Sequence, residues 1–103
     1  MSNGLTLLER NLHCRGGEID LVCEDGAVLV MVEVRQRATL DFGGALASVT
    51  AAKRRKLLYA ARFALQRRPA WRNRRVRFDV IGVDGTPPGA HEIAWIKDAF
   101  RAT

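Results

Sequence analysis

The chain has 103 residues, 48% of them hydrophobic, which indicates one compact domain over residues 1–103 and excludes a disordered chain or a second domain. No apolar run approaches the roughly 20 residues of a membrane helix, and no secretory signal is found, so we expect a cytoplasmic protein without membrane association. The net charge of +6 comes from residues 51–103, which hold thirteen basic and four acidic residues, and it indicates an anionic partner.

The first half of the sequence predicts a β-hairpin. Residues 5–12 fit a short strand or the end of a helix, and Gly16-Gly17 ends that segment. Apolar and polar residues alternate over residues 18–24, which is typical of a strand. Asp25-Gly26 then predicts a two-residue turn, and the β-branched residues 28–34 predict a central strand covered on both faces. The alternation predicts three apolar residues on one side of the first hairpin strand: Ile19, Leu21 and Cys23.

The second half predicts a helix followed by two strands. A glycine-containing loop or short helix with Phe42-Gly43-Gly44 is expected before Thr50, which is suited to cap a helix over residues 51–68. Residues 76–83 and 92–96 are typical of strands. A hairpin, a helix and two strands in this order predict an α/β fold built in layers.

A run without acidic residues extends from residue 42 to residue 78 and contains eleven lysines and arginines. Such a segment favours phosphate groups or anionic membrane surfaces. The excess of arginine favours phosphate, because the guanidinium group binds two oxygens at once. A solvated helix face followed by a basic loop explains the run equally well. The candidate nucleic-acid-binding residues are Lys53, Arg54, Arg72, Arg74 and Arg75.

Three carboxylates of the hairpin fall on one predicted sheet face. If Asp25-Gly26 forms the centre of the turn, Glu18 pairs with Glu33 across the hairpin and Asp20 lies diagonal to Glu33. Like charges in such positions are unfavourable, and Mg²⁺ or Mn²⁺ bound to their oxygens would relieve the repulsion. Alternatively, Glu18 and Glu33 form ion pairs with nearby arginines at the solvated end of the sheet, and this explains their positions without a metal.

Six motifs follow one another along the chain in a characteristic order. They are Gly17-Glu18-Ile19-Asp20-Leu21-Val22, Val32-Glu33-Val34-Arg35-Gln36-Arg37, Phe42-Gly43-Gly44, Val49-Thr50 with Lys53, Arg77-Phe78-Asp79-Val80, and Ile93-Ala94-Trp95-Ile96-Lys97-Asp98-Ala99-Phe100. Together they closely resemble the YraN-like family of uncharacterised bacterial proteins over nearly the whole chain. That family in turn resembles the PD-(D/E)xK nuclease superfamily, which includes restriction enzymes and Holliday-junction resolvases.

The resemblance implies a restriction-endonuclease-like layered fold, with a central mixed sheet, a β-hairpin and flanking helices. Members of the family begin with a helix that carries a glutamate of the acidic site, and the present sequence starts after the position of that helix. Because junction-resolving relatives commonly dimerise, a homodimer is a further expectation.

The resemblance also implies a catalytic site. Asp20 and Glu33 take the positions that bind Mg²⁺ or Mn²⁺ and activate water, with Glu18 as an additional metal ligand. Arg35 stands where the superfamily has a lysine; arginine remains protonated and cannot act as a base, but it can stabilise charge on a phosphate. Lys53 is the candidate to supply the missing amine, with phosphate contact as its more ordinary role.

These observations predict a nucleic-acid-binding protein that acts as a metal-dependent endonuclease on structured or branched DNA. Two alternatives stay open. A non-catalytic module would keep the fold and bind nucleic acid without cleaving it. An interaction protein would use the basic helix to bind an acidic protein partner.

Overall fold

The computed structural model describes residues 4–37, 49–84 and 93–100. This part of the chain contains five strands, one α-helix and a short 3-10 helix. The strands are β1 (Thr6–Cys14), β2 (Gly17–Asp25), β3 (Val28–Arg37), β4 (Val76–Asp84) and β5 (Ile93–Phe100); the α-helix is α1 (Ala51–Arg67), and the 3-10 helix is Pro69–Trp71. The predicted motif Phe42-Gly43-Gly44 lies outside the described residues.

The strands form one mixed sheet in the order β1-β2-β3-β4-β5. Neighbouring strands are antiparallel except for β3 and β4, which are parallel. A parallel pair needs a crossover connection, and α1 lies between these two strands in the chain. The predicted α/β class with a mixed sheet and a hairpin is confirmed. None of the helices in the described ranges is long and apolar enough to cross a membrane.

The turn of the β2–β3 hairpin differs from the prediction by one residue. Asp25 pairs with Val28, so Gly26 and Ala27 are the central turn residues. Gly26 has a φ of +58° and Ala27 does not have a positive φ, which is the pattern of a type II′ turn with glycine first. Each residue of β2 therefore pairs two positions further along β3 than predicted. A shift of two residues does not by itself move a side chain to the other face of the sheet.

Strand β3 is the buried centre of the sheet. Leu29 and Met31 pack in the cluster that includes the buried residues of α1, whereas Val30 and Val32 belong to a second cluster. All four are at most 1% exposed. The expectation of a central strand covered on both faces is confirmed, and the alternation places Glu33 on the face that carries α1.

The alternation in β2 changes phase near Asp20. Ile19 and Val22 both pack in the helix-side cluster, while Leu21 and Cys23 face away from it. The prediction that Ile19 shares a face with Leu21 and Cys23 is therefore wrong. In β1, Asn11 lies at the same level and has a φ of +50°, so both strands are distorted at the position of Asp20.

Helix α1 begins where the sequence predicts and packs closely on β2. The Thr50 side chain accepts a hydrogen bond from the Lys53 amide at 3.2 Å, as expected of an N-cap. Gly17 permits the close approach, because a Cβ at this position would lie only 2.7 Å from the carbonyl oxygen of Lys56. The first turn of α1 is thereby held next to the hairpin.

Candidate active site

Glu33 is the buried carboxylate at the centre of the site. It follows the apolar residues of β3 and is 4% exposed. Nζ of Lys53, in the first turn of α1, lies 3.0 Å from Oε1 of Glu33. A guanidinium nitrogen of Arg35 lies 3.5 Å from the same oxygen. Two cations, one from the helix and one from the strand, therefore meet one carboxylate.

Asp20 lies where the backbone pairing of the hairpin ends. The pairing of β2 with β3 extends to Leu21 and Val32. Beyond it, the amide of Val34 donates a hydrogen bond of 2.8 Å to Oδ2 of Asp20. Asp20 and Glu33 line the same cleft, and the charge of Asp20 acts on the Glu33 carboxyl. The structure thus brings these two carboxylates together.

Asp20 and Glu33 line one cleft of about 300 Å³ between the hairpin and α1. Its volume is at the lower end of the range typical of ligand sites. The cleft is lined by Gly17, Glu18, Asp20, Glu33, Thr50, Ala52, Lys53, Lys56 and Leu57. We call it the carboxylate cleft.

The electrostatics of the carboxylate cleft leave Glu33 short of positive charge. Burial raises the pKa of the Glu33 carboxyl above its ordinary value of 4.5, and the negative charge of Asp20 raises it further. The hydrogen bond from Lys53 and the charges of Lys53 and Arg35 lower this pKa, but they do not cancel the increase. The ionised site is therefore suited to a further cation.

The donor set fits a hard divalent cation with two protein ligands. Mg²⁺ is commonly held by one or two carboxylates, with water and phosphate completing its shell. Asp20 and Glu33 would be those ligands. Within residues 4–37, 49–84 and 93–100, no group of three His, Cys, Asp or Glu side chains is arranged to hold a metal. Glu18 also lines the cleft; its carboxylate lies 3.7 Å from Nδ1 of His13, and 44% of its side chain is exposed.

Lys56 and Gly17 also line the carboxylate cleft, although neither is among the residues predicted from the sequence. Lys56 follows Lys53 by three positions, and residues with that spacing are neighbours on a helix surface. This signal is present in the sequence once Lys53 is taken as a site residue. The role of Gly17 depends on the packing of α1 against β2, which the sequence alone does not show.

The predicted nucleic-acid-binding arginines divide into two groups. Arg74 donates hydrogen bonds of 2.9–3.0 Å to Glu24 and to the carbonyl oxygens of Gly26 and Ala27, so it is engaged in holding the hairpin turn. Arg54 donates to the carbonyl oxygen of Val49 at 3.2 Å and lies over the ring of Phe100. The positions of Arg54 and Arg74 thus do not support their predicted contact with nucleic acid.

Arg72 and Arg75 make up the second group. Both are exposed, and the guanidinium group of neither has a hydrogen bond or ion pair to another described residue. Trp71, next to them, is 9% exposed and packs in the main core. The basic segment therefore presents Arg72 and Arg75 to solvent while Trp71 is withdrawn from it.

Asp79 is a second buried carboxylate, and it is separate from the carboxylate cleft. It accepts hydrogen bonds from Arg77, from the indole nitrogen of Trp95 and from the amide of Asp98. Its neighbours in β4, Phe78 and Val80, pack on the helix side, so Asp79 belongs to the opposite face. Asp79 thereby links Arg77 of β4 to Trp95 and Asp98 of β5.

The described residues thus form an α/β protein in which three carboxylates and two lysines line one cleft. The model of the family described as "Uncharacterised protein family UPF0102" matches residues 1–83. The chain belongs to this family, and the predicted membership of an uncharacterised bacterial family is confirmed.

Relatives in several bacteria extend this match along the chain. The UPF0102 protein of Dechloromonas aromatica is 50% identical over 99 residues, which cover 96% of this chain and 76% of that protein. The UPF0102 protein of Nitrosococcus oceani is 48% identical over 100 residues, which cover 97% of this chain and 80% of that protein. A UPF0102 protein of Xanthomonas campestris is 51% identical over 98 residues, which cover 95% of this chain and 78% of that protein.

Proposed function

We propose that this protein binds nucleic acid and hydrolyses phosphodiester bonds in structured or branched DNA, with Mg²⁺ or Mn²⁺ held by Asp20 and Glu33. The observation that carries the proposal is the contact of Glu33 with Lys53 beside Asp20, inside one cleft. In this arrangement Lys53 supplies, from the helix, the amine that the strand lacks at Arg35. The proposal includes a restriction-endonuclease-like fold, which the hairpin, the crossover helix and the parallel β4 support.

Each side chain of the carboxylate cleft has a role in this reaction. A divalent cation supplies charge neutralisation and an activated water when it is bound. Asp20 and Glu33 would hold it, and the Val34 amide donates the hydrogen bond that orients Asp20. Lys53 holds the Glu33 carboxylate and, at 3.0 Å from it, is placed to donate a hydrogen bond to a phosphate oxygen. Arg35 keeps its charge and stabilises the negative charge that develops on the phosphate.

A non-catalytic nucleic-acid-binding module is the second candidate. Two observations favour it: Arg35 replaces the lysine of the superfamily motif, and within the described residues no group of three His, Cys, Asp or Glu side chains is arranged to hold a metal. In that case the ion pair of Glu33 with Lys53 stabilises the fold, and the exposed Arg72 and Arg75 bind the phosphate backbone.

Cleavage of a panel of branched, duplex and single-stranded DNAs with Mg²⁺ or Mn²⁺ tests the proposal. We expect metal-dependent cleavage by the wild-type protein and its loss in Asp20→Asn and Glu33→Gln. Asp25→Asn is the matched control, because Asp25 belongs to the same hairpin but pairs with Arg77 outside the cleft. DNA binding without cleavage under either metal would select the non-catalytic module. Absence of DNA binding would overturn both candidates and favour an acidic protein partner.

A further inference from the structure

A second concave surface adjoins the carboxylate cleft on the outer side of α1. It has a volume of about 350 Å³ and is formed by the β1–β2 turn and the first half of the helix. The residues that line it are Arg15, Gly16, Ala52, Arg55, Lys56 and Tyr59. We call it the Tyr59 surface.

Tyr59 is an exposed aromatic residue beside the β1–β2 turn. It is 53% exposed, and the other large hydrophobic residues exposed in the described ranges, Leu8 and Val34, are aliphatic. Its ring lies next to Gly16 of this turn, since a Cβ placed on Gly16 would be 3.7 Å from the ring. An aromatic ring that is open to solvent offers a platform on which a base can stack.

The cations around Tyr59 are not neutralised by the described residues. The charged groups of Arg15, Arg55 and Lys56 form no ion pair or hydrogen bond with another residue in this part of the chain. Arg74 and Arg77, by contrast, are paired with carboxylates of the hairpin. Within residues 4–37, 49–84 and 93–100, no acidic residue lines the Tyr59 surface. Three uncompensated cations around an aromatic ring are the combination that binds single-stranded nucleic acid, with phosphates on the cations and bases on the ring.

The Tyr59 surface is continuous with the carboxylate cleft. Ala52 and Lys56 line both of them. Lys53 lies on the side of α1 that faces Glu33. Tyr59 follows Lys56 by about one helical turn. A strand that crosses Lys56 would therefore place one nucleotide on Tyr59 and an adjacent phosphate in the cleft.

We infer that the Tyr59 surface binds an unpaired nucleotide of the DNA substrate, whose base stacks on Tyr59 while its phosphates contact Arg15, Arg55 and Lys56. Stacking on a side chain requires a base whose ring face is accessible, and base pairs inside a duplex do not offer one. The substrate class is therefore DNA with a single-stranded segment next to the cleaved bond. The inference rests on the proposed function and specifies the substrate of the same site.

Binding measured with a chelator present tests the inference separately from catalysis. Fluorescence anisotropy would compare a labelled oligo(dT) with a blunt duplex, both in EDTA. Tyr59→Leu keeps apolar contact with Gly16 but removes the aromatic face. We expect it to weaken oligo(dT) binding by about tenfold and to leave duplex binding unchanged, whereas Tyr59→Phe retains the affinity of the wild type. Leu8→Ala is the control, because Leu8 is an exposed apolar residue that lines neither cleft.

The outcomes separate the two proposals. Unchanged oligo(dT) affinity in Tyr59→Leu would overturn the role of the Tyr59 surface, and metal-dependent cleavage by the wild-type protein would still support the proposed function. Equal weakening of duplex and oligo(dT) binding would also overturn it, because the substitution would then act on the structure rather than on stacking. A wild-type protein that binds neither DNA would overturn both proposals.

Discussion

Glu33 combines deep burial with an incomplete set of charge partners. Lys53 and Arg35 both contact its Oε1, yet burial and the charge of Asp20 keep its pKa above the ordinary value. The folded protein therefore holds the Glu33 proton more tightly than the unfolded chain does. By linkage, ionisation of Glu33 lowers the free energy of unfolding as pH rises from 4.5 through the raised pKa.

Glu33→Gln removes this titration. We expect the wild-type protein, measured without metal, to lose stability relative to Glu33→Gln as pH increases from 4 towards neutrality. Urea unfolding of both proteins at several pH values measures the difference. The test is how the difference in free energy of unfolding between the two proteins changes with pH. The size of this difference at any one pH is not informative, because the variant also leaves Lys53 without its carboxylate partner. A difference that does not vary with pH, or that shifts in favour of the wild type, would contradict the proposed state of Glu33.

The sequence predicts that Asp20 and Glu33 lie near each other on one face but not the contact of Glu33 with Lys53. A two-residue error in hairpin register does not by itself change the face of a side chain, and both carboxylates line one cleft in the structure. The amine of Lys53 reaches Glu33 only because α1 packs closely on Gly17. That approach is a tertiary feature, and it has no counterpart in local sequence spacing.

The hairpin turn and the basic segment are coupled through Arg74. Its guanidinium group joins Glu24 with the carbonyl oxygens of Gly26 and Ala27, and the backbone adds a bond from the Leu29 amide to the Arg75 carbonyl at 2.8 Å. The segment before β4 is thereby fixed to the β2–β3 turn. The sequence predicts that Arg74 binds phosphate, whereas in the structure its guanidinium group is hydrogen-bonded to the hairpin turn.

Arg74→Ala should destabilise the protein by about 2 kcal/mol, because a charged hydrogen bond and two bonds to turn carbonyls are lost together. Arg72→Ala is the matched control: Arg72 is exposed in the same segment and is expected to change the stability by less than about 0.5 kcal/mol. Chemical denaturation of the two variants and the wild type measures this difference. Equal effects of the two substitutions would show that the contacts of Arg74 contribute nothing to the fold.

The strands show which features of the fold follow from local patterns. The continuous apolar run of β3 and the Thr50 cap of α1 identify these elements directly. The phase change in β2 is not visible in its sequence, because Ile19, Leu21 and Cys23 alternate regularly there. Asn11, at the same level of the neighbouring strand β1, has a positive φ, so the phase change coincides with a distortion of the partner strand.

Only some of the lysine and arginine side chains of the molecule are exposed without a carboxylate partner. Several cations of residues 51–103 form ion pairs with carboxylates of residues 1–50. These ion pairs join the basic half of the chain to the acidic half. The remaining exposed cations include Arg72 and Arg75 in the basic segment and Arg55 and Lys56 on α1. DNA affinity should therefore depend on these residues and not on the total charge.

The double variant Arg72→Ala/Arg75→Ala should weaken duplex binding similarly for all sequences and reduce the salt dependence. If each arginine neutralises one phosphate, the slope of log K against log salt becomes shallower by about 2. Binding isotherms at four or five salt concentrations give the slope. Arg74→Ala is the control, with an unchanged slope expected, since its guanidinium group is bound to the turn. The same slope in the wild type and the double variant would exclude these two arginines from the interface.

Titration calorimetry with Mn²⁺ tests the metal site most directly. We predict that the wild-type protein binds Mn²⁺ and that Asp20→Asn lowers the affinity by about tenfold or more, because a ligand is lost. Circular dichroism should show that the variant stays folded, since the substitution also removes a charge that opposes Glu33. Asp25→Asn, outside the carboxylate cleft, should bind as the wild type does. Equal affinity in the wild type and Asp20→Asn, or no binding by either protein, would contradict a metal centre at Asp20 and Glu33.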